Sequence, residues 1–468
     1  MMPEKLGRED RFRKESNMRL GNWAFAFIIA FSPFFCATKF LSCSSGPDGS
    51  TSVAVAAELT DTEIGQFRKL MEERADEAKP IPGQMTKDET ATLRGLLEQY
   101  QGISYGGFVE NFFQYESVHP GGRDNSAIPP KVFDRQVDSF TVNNIEMWLM
   151  KEATDPGDIG FKITLNWGDT ARRITFVGPV FDDGATQPNP PGFPTGGRQT
   201  TFSEAFVLYN IPIGKGLTAK FGKFATWVGY EVWEAHWNPN FSRSYIYGWL
   251  IPFTNTGVGL SYPVLDSFTA DYYFVNSSDG FVNNNKSFTH GLQLDYNPPD
   301  ILFFKDTNIH LDTLWGAEGA SNNSDWTSRY DLTVSFAPLN KISLATNANV
   351  STLDQSGAGN PDMSAWGVAQ YIVYQHSDAI GFAVRGEYFW DKDNMAGISG
   401  TALGATLGEV TGTLNLKIKE RLYLRPEIRY DKILSVRRRN LAGPDPSRVW
   451  NRSANKNVTG SIAATYEW

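Results

Sequence analysis

The sequence predicts an all-β fold, a transmembrane antiparallel β-barrel of about 16 strands that follows a short N-terminal helical segment. Three observations lead to this fold: segments that alternate apolar and polar residues, connections that are alternately tight and long, and a final strand that ends on an aromatic residue. The mean hydropathy of -0.34 and the charged fraction of 20% would by themselves indicate a soluble protein. However, aromatic residues reach 13% and glycines number 43, as expected where strands separate lipid from water.

The N-terminal region, residues 1–56, is predicted to be a signal peptide region. Its only long apolar run, residues 23–35, follows Arg19 and is shorter than the roughly 20 residues that span a bilayer. We expect cleavage after Ala56 or one residue later. Two alternatives stay open, which are lipidation at Cys43 and retention of the apolar run as a single anchor helix.

Residues 58–101 differ from the rest of the chain because their pattern is helical. Capping-box pairs begin two short helices, Thr60 with Glu63 and Thr86 with Glu89. Charged residues are frequent in this segment, so we expect it to be solvated in the periplasm rather than built into a barrel. Whether it acts as a plug, an oligomerisation handle, a peptidoglycan contact or a spacer stays open.

From residue 104 to residue 468, apolar and polar residues alternate with a period of two. The pattern is clearest in residues 161–167, 329–336 and 421–430. One face of each such strand suits hydrocarbon and the other suits water. A soluble β-sandwich would show the same alternation, so the strands alone do not decide the environment.

The connections indicate a membrane barrel, because tight turns alternate along the chain with long polar loops. The strands are predicted to begin near residues 104, 138, 157, 201, 215, 255, 267, 286, 306, 327, 340, 363, 379, 405, 420 and 456. This even number requires residues 245–253 to be loop, since Pro252 would interrupt a paired strand. An even number of strands returns the chain to the periplasmic side.

The last predicted strand is apolar on one face and ends at Trp468. Together with Tyr466, this aromatic end resembles the signal that the barrel assembly machinery of the outer membrane recognises, although Phe is the usual last residue. A terminal strand is also required for closure against the first strand, because an open edge cannot lie in lipid.

Residues 202–286 carry the most specific pattern of the chain. Its characteristic residues are 205–207, 216–217, 222–224, 229–231, Asn238, 240–244, 252–258, Asn276, Asp279 and 284–286. This stretch resembles the second porin-like group of β-barrel porins, a family of Gram-negative outer membranes. The resemblance implies a porin in the bacterial outer membrane, a water-filled channel for passive diffusion of small hydrophilic solutes or ions. Asn255 and residues 276–279 depart from the family pattern, so the resemblance does not imply a particular solute preference.

The loop at residues 226–254 is predicted to fold inward and constrict the pore. It contains several tryptophans that would be poorly placed in solvent. The candidate constriction residues are Glu231, Glu234, His236 and Arg243. The alternative is that Arg243 and the two glutamates only pin the loop to the barrel wall.

A basic ladder is predicted on the wall that faces this loop. It consists of Arg385, Lys417, Arg421, Arg425 and Arg429, which share the polar register of three successive strands. Facing an acidic loop, such a ladder would set a transverse field across the pore. The alternative is that these residues pair with neighbouring glutamates such as Glu427 and Glu409 and stabilise the wall.

The sequence predicts neither an enzyme nor a cofactor, because it contains no nucleophile elbow, zinc-protease motif, P-loop or Rossmann fingerprint. The five histidines lack the spacing of metal ligands, and a net charge of -9 argues against nucleic acid as a partner. The expected partners are outer-membrane lipid and lipopolysaccharide, the barrel assembly machinery, and small hydrophilic solutes. A homotrimer is the usual assembly of sixteen-stranded general porins. The alternative function is a non-conducting barrel that serves as a scaffold, an adhesin or a sheath for another protein.

Overall fold

The computed structural model describes residues 44–45, 51–52, 102–117, 131–175, 200–319, 321–355, 362–391, 393–396, 403–438 and 455–468. The predicted signal region and the predicted helices at 58–101 lie outside the described residues, apart from Ser44–Ser45 and Thr51–Ser52, which pair as a short antiparallel ladder. The chain divides into two units, one containing residues 6–102 and the other containing residues 103–468.

The second unit is a closed antiparallel barrel of sixteen strands. The strands are β1 (Ile103–Glu116), β2 (Ser139–Lys151), β3 (Ile159–Trp167), β4 (Thr200–Ile211), β5 (Leu217–Ala225), β6 (Thr254–Leu265), β7 (Phe268–Ser278), β8 (Thr289–Tyr296), β9 (Lys305–Ala317), β10 (Trp326–Leu339), β11 (Ile342–Leu353), β12 (Met363–Ser377), β13 (Ile380–Asp391), β14 (Leu403–Lys419), β15 (Leu422–Arg438) and β16 (Lys456–Glu467). Each strand pairs with its sequence neighbours, and β16 closes the ring on β1. The predicted antiparallel barrel of about sixteen strands is therefore confirmed.

The predicted strand starts differ from the observed ones by no more than three residues. Among the described residues, two short α-helices, α1 (Asp169–Thr175) and α2 (Tyr245–Trp249), and a 3-10 helix (Ala235–Trp237) lie between strands. Helix α2 occupies the stretch that the strand count required to be loop. Ser244 caps the N-terminus of α2, because its side chain accepts a hydrogen bond from the backbone N–H of Tyr247.

The two faces of the wall differ as the alternation requires. On β10, Tyr330 and Leu332 point outward and are 53% and 42% exposed, whereas Arg329, Asp331 and Thr333 point inward and are buried. An apolar outer face and a polar interior allow the barrel to stand in hydrocarbon around a hydrophilic interior. Closure pairs the backbone groups of both terminal strands, which lipid could not satisfy.

The connections at one end of the barrel are short, including turns of two residues at 266–267, 340–341, 378–379 and 420–421. Those at the other end are long, and the longest described one joins β5 to β6. Short turns mark the periplasmic end and long loops the extracellular end. Within the described ranges, no helix combines the length and apolarity needed to cross a bilayer.

We predict that a charge on the outer face of β15 destabilises the barrel. Ile428 is 66% exposed on that face, and Ile428→Lys should cost roughly 2–4 kcal/mol near the bilayer midplane. The free energy of unfolding is measured by urea titration of the protein in phospholipid vesicles. Glu420→Lys, in the exposed turn before β15, is the control and should have little effect. Equal losses for the two variants would contradict a lipid-facing position of Ile428.

Candidate pore constriction

The connection between β5 and β6, residues 226–253, lies against the inner wall of the barrel, and we refer to it as the inner loop. Its first residues contact β8 and β9. The indole N–H of Trp227 donates to the carbonyl of Thr313 at 3.3 Å, and the side-chain amide of Gln293 donates to the carbonyl of Trp227 at 3.2 Å. The backbone N–H of Gly229 donates to the carboxylate of Asp312 at 3.3 Å.

Aromatic packing supports the same contact. The Trp227 ring stacks on Tyr273 with centroids 3.8 Å apart and planes 3° from parallel. It also covers Gly291 on β8, where an added Cβ would lie 2.0 Å from a Trp227 ring atom. Glycine at this wall position therefore makes room for a side chain of the inner loop.

The inner loop also contacts the opposite wall. The backbone N–H groups of Tyr245 and Ile246, at the start of α2, donate to the two oxygens of Glu387 at 2.7 and 2.8 Å. Glu387 is on β13, which lies halfway around the ring from β5. The inner loop therefore bridges the lumen from one wall to the other.

Two further carboxylates bind consecutive backbone N–H groups of the inner loop or its end. Glu427 on β15 accepts from Phe241 at 2.7 Å and from Ser242 at 3.0 Å. Asp279, which follows β7, accepts from Phe253 and Thr254 at 2.7 and 2.8 Å. Such charge-assisted hydrogen bonds are stronger than neutral ones. We refer to Glu387, Glu427 and Asp279 as the carboxylate clamps.

Three wall arginines bind carbonyl groups of the inner loop. Arg385 donates to Ser242 at 2.6 Å and Arg429 donates to Arg243 at 2.7 Å. Arg425 donates to the carbonyls of Ala235, Asn238 and Pro239. Backbone groups of the loop that have no strand partner thus bind charged side chains of the wall.

Nearby carboxylates balance the positive charges of two of these arginines. Arg385 lies 2.8 Å from Glu231 of the inner loop and 2.5 Å from Glu409 on β14. Arg429 lies 2.8 Å from Asp431, which also accepts the hydroxyl of Tyr245 at 2.5 Å. Burial, followed by the negative charge of Asp431, raises the pKa of Tyr245 well above its usual range, so this hydroxyl keeps its proton and donates the hydrogen bond to Asp431.

The inner loop reaches deep into the barrel. The Nε2 atom of His236 lies 3.4 Å from the carboxylate of Glu467, the last residue of β16 at the periplasmic end. The His236 ring also contacts Phe108 with centroids 4.2 Å apart. Because Arg425, near the start of β15, binds the same part of the loop, its tip lies in the periplasmic half of the lumen.

A second interior segment, residues 131–138, packs on the inner loop. Asp134 forms an ion pair with Arg243 at 2.9 Å, and the Arg243 guanidinium lies 4.9 Å from the centre of the Phe133 ring. Burial raises the pKa of Asp134, while the positive charges of Arg243 and Lys131 oppose this shift. The pair therefore joins two loops inside the barrel.

The predicted constriction residues lie on the inner loop, where Glu231, Glu234 and Arg243 are buried and His236 is half-buried. Glu231 also accepts hydrogen bonds from the backbone and hydroxyl of Ser244 at 2.7 and 2.8 Å, and Glu234 is only 1% exposed. Glu231 thus contacts both Ser244 of the inner loop and Arg385 of the wall.

The predicted ladder separates into two groups. Arg385, Arg425 and Arg429 are buried against the inner loop, whereas Lys417 and Arg421 are exposed near the periplasmic turn between β14 and β15. The ammonium group of Lys417 lies 5.9 Å from the centre of the Tyr423 ring.

The residues of the predicted assembly signal lie at the end of β16. Tyr466 and Trp468 are both exposed, and the backbone N–H of Trp468 donates to the carbonyl of Gly107 on β1 at 3.0 Å.

The sequence did not reveal the carboxylate clamps as loop ligands. Glu387 and Glu427 were visible only as members of a polar register that they share with the ladder arginines. Asp279 was visible as part of the characteristic stretch. The characteristic stretch could have pointed to the clamped part of the loop. Its residues 240–244 and 252–254 supply most of the backbone N–H groups that the clamps bind.

A closed sixteen-stranded barrel with an apolar belt and a loop anchored inside its lumen defines the class of channel-forming barrels of the outer membrane. Residues 102–467 match the protein family described as "Putative beta-barrel porin-2, OmpL-like", and the chain belongs to this family. The protein is thus an outer-membrane porin. This result confirms the family, the function and the location that the resemblance implied.

Several solved structures have a similar chain trace. They include the outer membrane channel DcaP of Acinetobacter baumannii, at 11% identity and a TM-score of 0.48, with 78% of this chain and 97% of that chain covered. OmpF of Salmonella typhi in complex with daunomycin gives 10% identity, a TM-score of 0.49 and coverages of 78% and 97%. The trimer form of OmpT of Vibrio cholerae gives 10% identity, a TM-score of 0.45 and coverages of 78% and 99%. A comparison with curated proteins gives no sequence match.

We predict that Gly291→Ala destabilises the barrel through the inner loop. The new methyl group would overlap the Trp227 ring, and overpacking of this kind costs about 1–3 kcal/mol. Gly460→Ala is the matched control, because it is also a strand glycine and has nothing within 4 Å of an added Cβ. Thermal unfolding of both variants provides the comparison. A loss at Gly291 no larger than that at Gly460 would mean that Trp227 does not pack there.

We predict a pH dependence of stability that arises from Asp279. Burial raises the pKa of this carboxyl from 3.8 to about 7, against the opposing effect of the two N–H groups that it binds. Between these values the folded state holds a proton that the unfolded state releases, so this contribution to stability falls as the pH rises from about 4 to 7. Asp279→Asn keeps the accepting oxygen and removes the titration.

The measurement is thermal unfolding of the wild-type protein and of Asp279→Asn between pH 5 and pH 8.5. The stability of the wild type relative to the variant should decline toward high pH. A constant difference across this range would show that Asp279 does not titrate there.

Proposed function

We propose that the inner loop narrows the water-filled channel, and that small hydrophilic solutes or ions diffuse passively through the remaining lumen. A barrel of this strand number is wide enough to leave an aqueous channel unless an interior element narrows it. The observation that carries the proposal is the bridge across the lumen, in which Glu387 on β13 binds two backbone N–H groups of α2. An element attached to both walls divides the cross-section of the barrel.

We further propose distinct roles for the charged residues. Glu231, Arg243, Arg385, Arg425 and Arg429 hold the inner loop, because each is buried and bound to it or within it. Lys417 lies in the inward register of β14, and Arg421, in the turn before β15, continues the inward register of that strand. Both are exposed, and there they would act on ions that enter from the periplasm. The expected solutes are small hydrophilic molecules and ions.

The proposed function is that of a channel rather than an enzyme, and it needs no cofactor. Glu234 and His236 belong to the proposed constriction. The proposed assembly is a homotrimer. The non-conducting alternative predicts a silent barrel. Planar-bilayer recording of the purified protein separates the two, because a porin gives stepwise conductance increases and a closed scaffold gives none.

We predict that Glu387→Ala increases the conductance of a single channel. The variant loses two charge-assisted hydrogen bonds of the inner loop, each worth about 1.5–3 kcal/mol, so the loop should leave the opposite wall more often. Single-channel recording should show a larger conductance and more noise in the open state. The control is Glu420→Ala, in the exposed turn between β14 and β15, which should leave both quantities unchanged. An unaltered conductance of Glu387→Ala would reject the loop as the constriction.

We predict that ion selectivity depends on the exposed basic residues rather than on Glu231. The double variant Lys417→Gln, Arg421→Gln should shift the reversal potential in a salt gradient toward cation preference, because two positive charges leave the periplasmic mouth. Glu231→Gln should mainly raise the open-channel noise, because it weakens the bond to Arg385. A shifted reversal potential with unchanged noise in Glu231→Gln would instead place this carboxylate on the solute path.

A further inference from the structure

The turn between β8 and β9 differs in chemistry from other turns at the periplasmic end. Its residues 301–304 are all apolar, and Leu302 and Phe303 at the tip are 81% and 68% exposed. A nearby pair of turns instead carries the charged residues Lys215 and Asp266, whose side chains are 2.6 Å apart. An exposed apolar cluster in a turn outside the membrane-spanning strands indicates a binding surface.

The backbone of this turn is fixed rather than extended. Ile301 and Phe304 bind each other through two hydrogen bonds of 3.1 and 2.8 Å, and the N–H of Asp306 donates to the Asp300 carboxylate at 3.0 Å. Leu302 has a φ of 52°, a left-handed conformation that Gly or Asn adopts with less strain. A large apolar side chain is thus present at a backbone position that does not favour it.

The position of Phe304 shows on which side of the wall the turn lies. Its ring contacts Phe336 of β10 with centroids 5.0 Å apart. Phe336 is in register with Tyr330 and Leu332, which point outward. The Phe304 side chain at the base of the turn therefore lies on the outer face of the barrel, on the same side as the apolar belt.

We propose that the tip of this turn, Leu302 and Phe303, inserts into the periplasmic leaflet of the membrane as an interfacial anchor. The partner is the boundary between phospholipid headgroups and acyl chains, where exposed apolar and aromatic side chains next to charged groups are stable. Asp300, Lys305 and Asp306 flank the apolar tip and would lie at the level of the headgroups. The anchor would fix the depth and tilt of the barrel on this side.

The test places a nitroxide spin label on Phe303→Cys in the full chain with Cys36 and Cys43 replaced by Ser, reconstituted in phosphatidylethanolamine and phosphatidylglycerol vesicles. Collision rates with oxygen, which enriches in lipid, and with a water-soluble nickel complex report the depth of the label. Asn340→Cys, in the polar turn between β10 and β11, is the aqueous control, and Val384→Cys on the outer face of β13 is the lipid control.

The expected result is that the label at position 303 resembles Val384→Cys, with frequent oxygen collisions and few nickel collisions. Nickel access equal to that of Asn340→Cys would place the tip in water and overturn the proposal. Protection from both reagents with strong immobilisation would also overturn it, because the tip would then be covered by protein, such as a second copy of this chain.

Discussion

The binding of backbone N–H groups by wall carboxylates is the interaction on which the interior of this barrel depends. A loop that crosses a lumen takes its peptide groups away from the strands that would otherwise pair them, and an unsatisfied buried peptide group costs free energy. Glu387, Glu427 and Asp279 each satisfy two consecutive donors, and the wall arginines satisfy carbonyls nearby. The inner loop can therefore be long, irregular and fixed at once.

This arrangement explains why the interior of the wall contains so many charged residues. A carboxylate that binds the loop needs a nearby cation to offset the cost of its burial, and an arginine needs an anion for the same reason. Glu409 between Arg385 and Arg429, and Asp431 beside Arg429, meet this need on β14 and β15. Glycines complete the fit, since Gly291 accommodates Trp227 and Gly367 lies where an added Cβ would be 2.6 Å from Ile246.

The sequence predicted the barrel closely and the interior only in part, for a physical reason. Strand positions follow from a local pattern of period two and from turn residues, and both are readable along the chain. The contacts of the inner loop join residues that are far apart in sequence, such as Tyr245 and Glu387, and no local pattern specifies which wall a loop will reach. The ladder arginines were found by their register. Their burial against the inner loop depends on the course of that loop across the lumen, which no local sequence pattern specifies. Lys417 and Arg421 share the register and yet remain exposed, which shows that register alone does not assign a role.

The clamps also couple the rigidity of the loop to that of the wall. Glu387 and Glu427 belong to β13 and β15, and Arg385 and Arg429 of the same two strands meet at Glu409 of β14 between them. Any movement of α2 away from β13 therefore exposes charges that are paired across three strands, and their separation would be opposed cooperatively rather than bond by bond. For this reason the effective width of the lumen is a property of the whole β13–β15 wall together with the loop. A pore that used a free loop would have the same strands and a less defined passage.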